Sequence, residues 1–275
     1  MNLKDEKGFL IVAVEHDDID YLVCARVLAK SIRYWQPHSK ICLLTNYDGV
    51  KNDGIFDYIS EFRYPINESN PFSSDWQSFY CSPFHETIKI EADMVLTGSI
   101  DHWWDLLRKR DVVVPVGCRN FYGDFSTERF YRRAFDYNQL PDVYNAITYW
   151  RISKFSKEFF MQVRNIFENW DVYYRLLSGI DKNIIPDTDL VYAIAVLLLG
   201  EENVTIPNTE YPSFVHMKGK HNGFQGEEWT RHLVWEMDNG NLRINTISQM
   251  YPVHYHEKRF AYELEEHYDK LLAGG

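Results

Sequence analysis

The chain has 275 residues, 45% of them hydrophobic and 16% aromatic, with a net charge of −11 and a pI near 5.4. Such a length and apolar content suffice for one large domain, while the acidity excludes a general nucleic-acid coat, which needs a basic footprint to release counterions. Four widely spaced cysteines, Cys24, Cys42, Cys81 and Cys118, form no Cys-x-x-Cys pair, so a zinc ribbon or thioredoxin-like motif has no support and reduced, buried thiols are expected.

In chain order, "GFLIVAV" (8–14) is an unbroken apolar run, as a parallel strand buried on both faces requires. "YLVCARVLAKSIRYW" (21–35) sets Leu22, Ala25, Leu28, Ala29 and Ile32 at helical spacing, and "KICLLT" (40–45) reads as a second buried strand. Strand, helix and strand within that span open a βαβ pattern. Residues 65–86 read as irregular, followed by a strand at "ETIKI" (86–90), a helix at "SIDHWWDLLRKR" (99–110) with Ser99 as N-cap, and a strand at "DVVVPVG" (111–117). A polar, aromatic connection over 118–141 leads to an alternating strand, "VYNAITYW" (143–150). Long helices are expected over 154–177 and 189–199, and a C-terminal one over 258–275. The expected organisation is one α/β domain over 1–250, with 251–275 a helical extension packed on it. The first apolar run is too short for a secretory signal, and "AIAVLLL" (193–199) cannot span a bilayer, so a cytoplasmic protein without a membrane span is expected.

Glu91 and Asp93 stand one residue apart behind the strand "ETIKI". Residues i and i+2 share a face of an extended segment, and the C-terminal end of a parallel strand opens into the crevice where α/β sheets bind ligands. Two carboxylates converging there suit Mg²⁺ or Mn²⁺, which in turn grips a diphosphate. An ordinary acidic loop is the other reading of an isolated acid-x-acid.

The stretch "IKIEADMVLTGSIDHWWDLL" resembles the surroundings of the Asp-x-Asp motif in GT-A glycosyltransferases, especially family 8, the glycogenin and bacterial galactosyltransferase group. Further pieces follow in that family's order over roughly residues 8–220. "FLIVAVEHDDIDYLVCARVLAKSI" is similar to its nucleotide-binding first strand and helix, "YNAITYWRIS" to its sugar-holding Asn-Ala/Ser-Gly strand, "DTD" (187–189) to its Asp-Gln-Asp segment and "FVHMKGK" (214–220) to its His-x-x-Gly-x-x-Lys motif. Three departures are evident: Glu91 replaces an aspartate, Ile147 a glycine, and Lys220 follows Gly219 directly.

The resemblance implies a GT-A, Rossmann-like fold with a mainly parallel central sheet and a retaining transfer from a nucleotide sugar, a UDP-sugar, with Mn²⁺ or Mg²⁺. It implies Asp93 and His216 as metal ligands with Glu91 assisting, and Ala13, Val14, Tyr21, Gly219, Lys218 and Lys220 around the nucleotide and its phosphates. Asn145 and Asp187 would orient the donor sugar, and Asp189 would contact donor or acceptor. A metal takes the charge of the departing diphosphate without proton transfer, which makes the set chemically coherent. A degenerate, non-catalytic sugar-nucleotide or glycan-binding protein is the alternative that Glu91 and Ile147 motivate.

Two constellations lie outside that motif set. "HYH" (254–256) places two imidazoles on one face of an extended segment, half of a zinc site or simply packed histidines. Residues 108–133 hold seven Lys or Arg against three acids, interleaved with "RNFYGDF" (119–125). Basic and aromatic residues so mixed suit a phosphate-bearing acceptor or a solvated loop. On the first reading, Arg119, Arg129, Arg132 and Arg133 would meet a polyanion while Phe121, Tyr122 or Tyr131 stacks on a base. The wording around "SPFHETIKIEADMVL" is also similar to glycosyltransferase-like proteins of tailed bacteriophages, which makes a hydroxymethylated pyrimidine in phage DNA one acceptor; surface glycans, lipid-linked saccharides and protein are others.

Overall fold

The computed structural model describes residues 4–16, 19–51, 53–126, 132–178, 185–206 and 211–274. Its main sheet has the order β3 (Tyr58–Glu61), β2 (Ile41–Thr45), β1 (Asp5–Ala13), β4 (Phe84–Glu91), β9 (Ile147–Arg151) and β6 (Val112–Val113). The first four strands are parallel, and β9 runs antiparallel to both its neighbours. The central place of β1 explains its unbroken apolar run. Phe9, Ile11 and Ala13 pack on one side with the Tyr21–Trp35 helix, whereas Leu10 packs on the other with the Lys154–Glu168 and Thr188–Leu199 helices. Each such large side chain contributes about 1.5–3 kcal/mol of burial free energy.

The Tyr21–Trp35 helix starts where Asp20 accepts the N–H groups of Leu22 and Val23, at 3.0 and 3.2 Å. It packs against the C-terminal helix Phe260–Ala273, and buried Lys30 bridges to Glu265 and Asp269 there, at 2.9 and 2.6 Å. A second sheet has the order β5 (Met94–Val95), β14 (Val253–His254), β10 (Val215–His216), β7 (Cys118–Arg119) and β8 (Phe125–Ser126). A third is the antiparallel meander β11 (Trp235–Asp238), β12 (Asn241–Ile244) and β13 (Ile247–Ser248). No helix among the described residues is long and apolar enough to cross a membrane.

The structure departs from the sequence expectation in several places. The span expected to be irregular, 65–86, contains a 3₁₀ helix, Pro71–Gln77, and a helical turn, Ser78–Cys81. The helix expected over 99–110 is only Trp103–Leu107; Ser99 caps no helix, its hydroxyl instead accepting the N–H of Asp101 at 3.3 Å. The helix expected over 154–177 breaks at Asn169, whose side-chain amide donates to the Asn165 carbonyl at 2.9 Å and competes with the helix ladder. Residues 251–275 begin with a strand, β14, inserted between β5 and β10, before their helix.

Candidate functional site

A cavity of about 580 Å³ opens at the C-terminal ends of β1 and β4, within the roughly 300–1,000 Å³ usual for small-molecule sites. Val12 at the end of the first strand, Val14 just after it and Tyr21 of the first helix line it, whereas Ala13, between the two valines, is buried in the core with that helix. Parallel pairing of β1 with β4 sets Val12 opposite Glu91, so the acidic pair lands at the cavity floor.

Asp93 lies in the turn between β4 and β5, its side chain 7% exposed. Its Oδ2 is 2.9 Å from His254 Nε2 and also accepts from the Lys258 ammonium. Burial opposes ionisation of Asp93, but the charges of His254 and Lys258 outweigh it and hold the carboxyl well below its usual range. Glu91 stands 3.6 Å from His254 Nε2 through Oε2 and is raised by desolvation.

Pairing of β10 with β14 brings the histidines together. His216 sits opposite His254 in the parallel register, and their rings stack at 4.7 Å. His256 follows on the same face with φ +62°, a left-handed conformation uncommon for a residue with a side chain. One ligand atom each from Asp93, His254 and His256 lies within 4.8 Å of the others. Both ring nitrogens of His256 are buried without a hydrogen-bond partner among the described residues, an arrangement normally costly unless a ligand satisfies it. Burial drives the pKa of His256 down to about 3, with the charge of His254 adding to it, so the ring is neutral and able to ligate. These three residues therefore fit a divalent metal, and two imidazoles with one carboxylate favour a transition ion over Mg²⁺. His216, expected as a ligand, stacks behind His254 and is not one of the three.

Opposite this group, Asn145 enters from the loop before β9. Its Oδ1 accepts from Lys89 Nζ at 2.9 Å and Thr148 Oγ1 at 3.1 Å, and Lys89 also pairs with Asp75 at 2.6 Å. Lys89 was not anticipated, although a lysine inside an apolar central strand is itself a signal, because lysines are almost never fully buried unpaired. Asp187 caps the Thr188–Leu199 helix through the Leu190 N–H at 2.7 Å, and desolvation raises its pKa, with Asp189 adding to the effect. Asp187, Asp189, Asn145 and Lys218 all line the cavity. Gly219 is buried, where a Cβ would meet the Phe224 carbonyl oxygen at 2.3 Å, and Lys220 is exposed outside the lining.

The basic segment divides. Arg132 is 6% exposed and pairs with Asp142 at 2.5 Å and Asp189 at 3.6 Å, its guanidinium 4.1 Å from the Tyr144 ring. Arg119 is 7% exposed and donates to Ser213 Oγ at 3.0 Å and the Gly123 carbonyl at 2.7 Å. The expectation that these two grip a polyanion is thus corrected: both are buried, Arg132 paired with acids and Arg119 donating to neutral oxygens inside the protein. Arg133 is exposed at the cavity rim, Tyr122 is exposed and packed on Phe121, which is itself buried and so unable to stack on a base, and Arg129 and Tyr131 lie outside the described residues.

No protein-family model and no curated protein sequence matches the chain. Solved structures do. The galactosyltransferase LgtC in complex with donor and acceptor sugar analogs matches at 13% identity and a TM-score of 0.52, over 98% of this chain and 96% of that one. An active-site mutant of LgtC matches at the same identity and TM-score, over 96% of each chain. The glycosyltransferase GlyE of Streptococcus pneumoniae TIGR4 matches at 10% identity and a TM-score of 0.47, over 74% of this chain and 46% of its own, so the chain spans less than half its length. The LgtC likeness shows the fold: a GT-A nucleotide-diphospho-sugar transferase fold.

Proposed function

We propose that the protein is a divalent-metal-dependent glycosyltransferase that takes its sugar from a nucleotide sugar, a UDP-sugar. The observation that carries this reading is the convergence of Asp93, His254 and His256, with orphaned imidazole nitrogens, at the ligand-binding edge of a GT-A sheet. Asp93, His254 and His256 would hold the metal, with Glu91 beside them and His216 propping the His254 ring. A bound divalent ion supplies charge to the departing diphosphate without proton transfer.

The chain's own residues do the rest. Lys218 and Lys258 both line the cavity, and their ammonium groups would serve the phosphates. Lys89 and Thr148 both donate to Asn145 Oδ1, which turns the amide so that its NH₂ is the group left to donate to a sugar hydroxyl. Asp187 and Asp189 flank that position from the helix start, where carboxylates can accept from further hydroxyls. Retention of anomeric configuration belongs to this reading through the family 8 resemblance. The acceptor would approach over Phe72 and Arg133, both exposed and both lining the cavity. The inward turn of Arg119 and Arg132 removes their support for DNA and favours a saccharide acceptor.

Incubation with a panel of nucleotide sugars and Mn²⁺, reading free nucleotide, tests the proposal. One donor should be consumed far above the no-enzyme rate, saturably, and EDTA should stop it. Binding of a donor without any consumption would point instead to a sugar-nucleotide-binding protein.

A further inference from the structure

We propose that Lys258 couples the binding of a divalent cation to that of a diphosphate in this cavity, by giving up Asp93 to the one and taking the other as its new partner. The inference rests on the metal reading above. Asp93 Oδ2 receives two contacts, from His254 Nε2 at 2.9 Å and from the Lys258 ammonium. A separation of that size between His254 nitrogen and Asp93 oxygen is also what two neighbouring ligands of one metal ion show when each bond is roughly 2.0–2.2 Å long. A divalent cation held between His254 Nε2 and the Asp93 oxygen nearest to it would thus take the oxygen that Lys258 also holds.

Two cations cannot share that oxygen cheaply. In a cavity sheltered from bulk water, an ammonium and a divalent ion a few ångströms apart repel each other strongly. The cation therefore drives Lys258 off Asp93. Asp93 is the one carboxylate paired with Lys258 among the described residues, and the lysine side chain is only 22% exposed. The Tyr21 ring lies 5.7 Å from its ammonium, which is weaker compensation than an anion. A displaced Lys258 thus needs a new counter-charge, and the groove it lines also contains Lys218, which marks the place for phosphate oxygens.

The consequence is a thermodynamic linkage. Cation alone must compete with Lys258, and diphosphate alone must compete with Asp93 for the same lysine. Together they satisfy every group, so each raises the affinity of the other by the same factor. The device would keep the site from loading metal tightly before a nucleotide arrives, and from retaining nucleotide once metal has left.

The test measures Mn²⁺ alone, UDP alone, and Mn²⁺ with UDP, on the wild type and on Lys258→Met, by the electron paramagnetic resonance of free Mn²⁺ and by calorimetry. Lys258→Gln serves as a second variant, and circular dichroism confirms that each is folded. The expected result is that both variants bind Mn²⁺ alone more tightly than the wild type, by about 10-fold, a magnitude usual for coupled sites. The gain in Mn²⁺ affinity that UDP confers should shrink in the variants, after subtraction of the association of Mn²⁺ with UDP in solution. If Mn²⁺ alone binds the variants no more tightly, yet Asp93→Asn abolishes binding, the metal site stands and the coupling by Lys258 is overturned. If Mn²⁺ binds neither wild type nor variants, the metal reading falls and this inference with it.

Discussion

Asp189 Oδ1 accepts the main-chain N–H of Asn145 at 2.7 Å, which ties the start of one helix to the loop that leads into β9. The same loop is tied from beneath, since Lys89 and Thr148 both donate to the Asn145 side-chain oxygen. Main chain and side chain of one residue are thus fixed by different elements, leaving a single amide group to face a substrate.

Asn145→Asp should separate stability from activity. The new carboxylate keeps the shape and gains a charge partner in Lys89, so the unfolding free energy from urea titration should stay within about 1 kcal/mol of wild type. The NH₂ donor is lost, and donor turnover should fall by about 10²-fold, near 3 kcal/mol in the barrier. Unchanged turnover in a folded variant would show that Asn145 does not meet the donor.

Asp93→Asn keeps the shape of the ligand and removes its charge, so donor hydrolysis should fall by at least about 10²-fold. His256→Ala should weaken Mn²⁺ binding while leaving the fold intact, because its ring nitrogens have no partner to lose. Mn²⁺ should support more activity than Mg²⁺, since imidazole nitrogens favour transition ions. Activity that survives EDTA, or equal activity with Mg²⁺ and in His256→Ala, would remove these residues from the metal site.

The parts of this molecule that local pattern dictates were legible in its sequence. The apolar run at 8–14 and the periodicity of 21–35 gave a central strand and its helix, because burial on both faces or on one stripe writes itself into spacing. The pairing of Asp93 with His254 did not, because the two are 161 residues apart and only the insertion of β14 beside β10 brings them together. "HYH" therefore read equally as packed histidines. The arginines of 119–133 were ambiguous for another reason: guanidinium beside aromatic rings has the same pattern whether it faces water or, as for Arg132 between Phe135 and Tyr144, the interior. The hairpin over 235–244 carries a local signal of its own. Asn239 and Gly240 take φ of +46° and +73°, the conformation for which Asn-Gly is the preferred two-residue turn.

Stability should fall in mild acid, partly through His221. Its ring is buried, with Nδ1 2.5 Å from Ser126 Oγ, and burial drives its pKa from 6.5 down to about 4. Between those two values the unfolded chain carries a proton on this residue and the native one does not. Stability is therefore intact above pH 6.5 and declines as pH drops toward 4, by about 1.4 kcal/mol per pH unit for this group. Neutral His216 and His256 push the same way. Urea unfolding with a chelator present, at a series of pH values, should show a shallower slope in His221→Gln; an unchanged slope would place the proton uptake elsewhere.

Arg132 and Arg133 are adjacent in sequence and should behave as opposites. Arg132→Ala removes the partner of Asp142 from a buried pair and leaves the Val143 carbonyl without the Arg132 donor, now at 2.7 Å. Breaking a buried ion pair on one side costs about 3–5 kcal/mol, so this variant should unfold at markedly lower urea. Arg133 is exposed at the rim, and Arg133→Ala should shift stability by less than about 0.5 kcal/mol. If Arg133 meets an anionic acceptor, that variant should lose transfer while keeping donor hydrolysis, and the loss should shrink as salt rises, because screening already weakens the wild-type contact. Equal stability of the two variants would mean that Arg132 is not anchored inside the protein, and would return both arginines to the acceptor face.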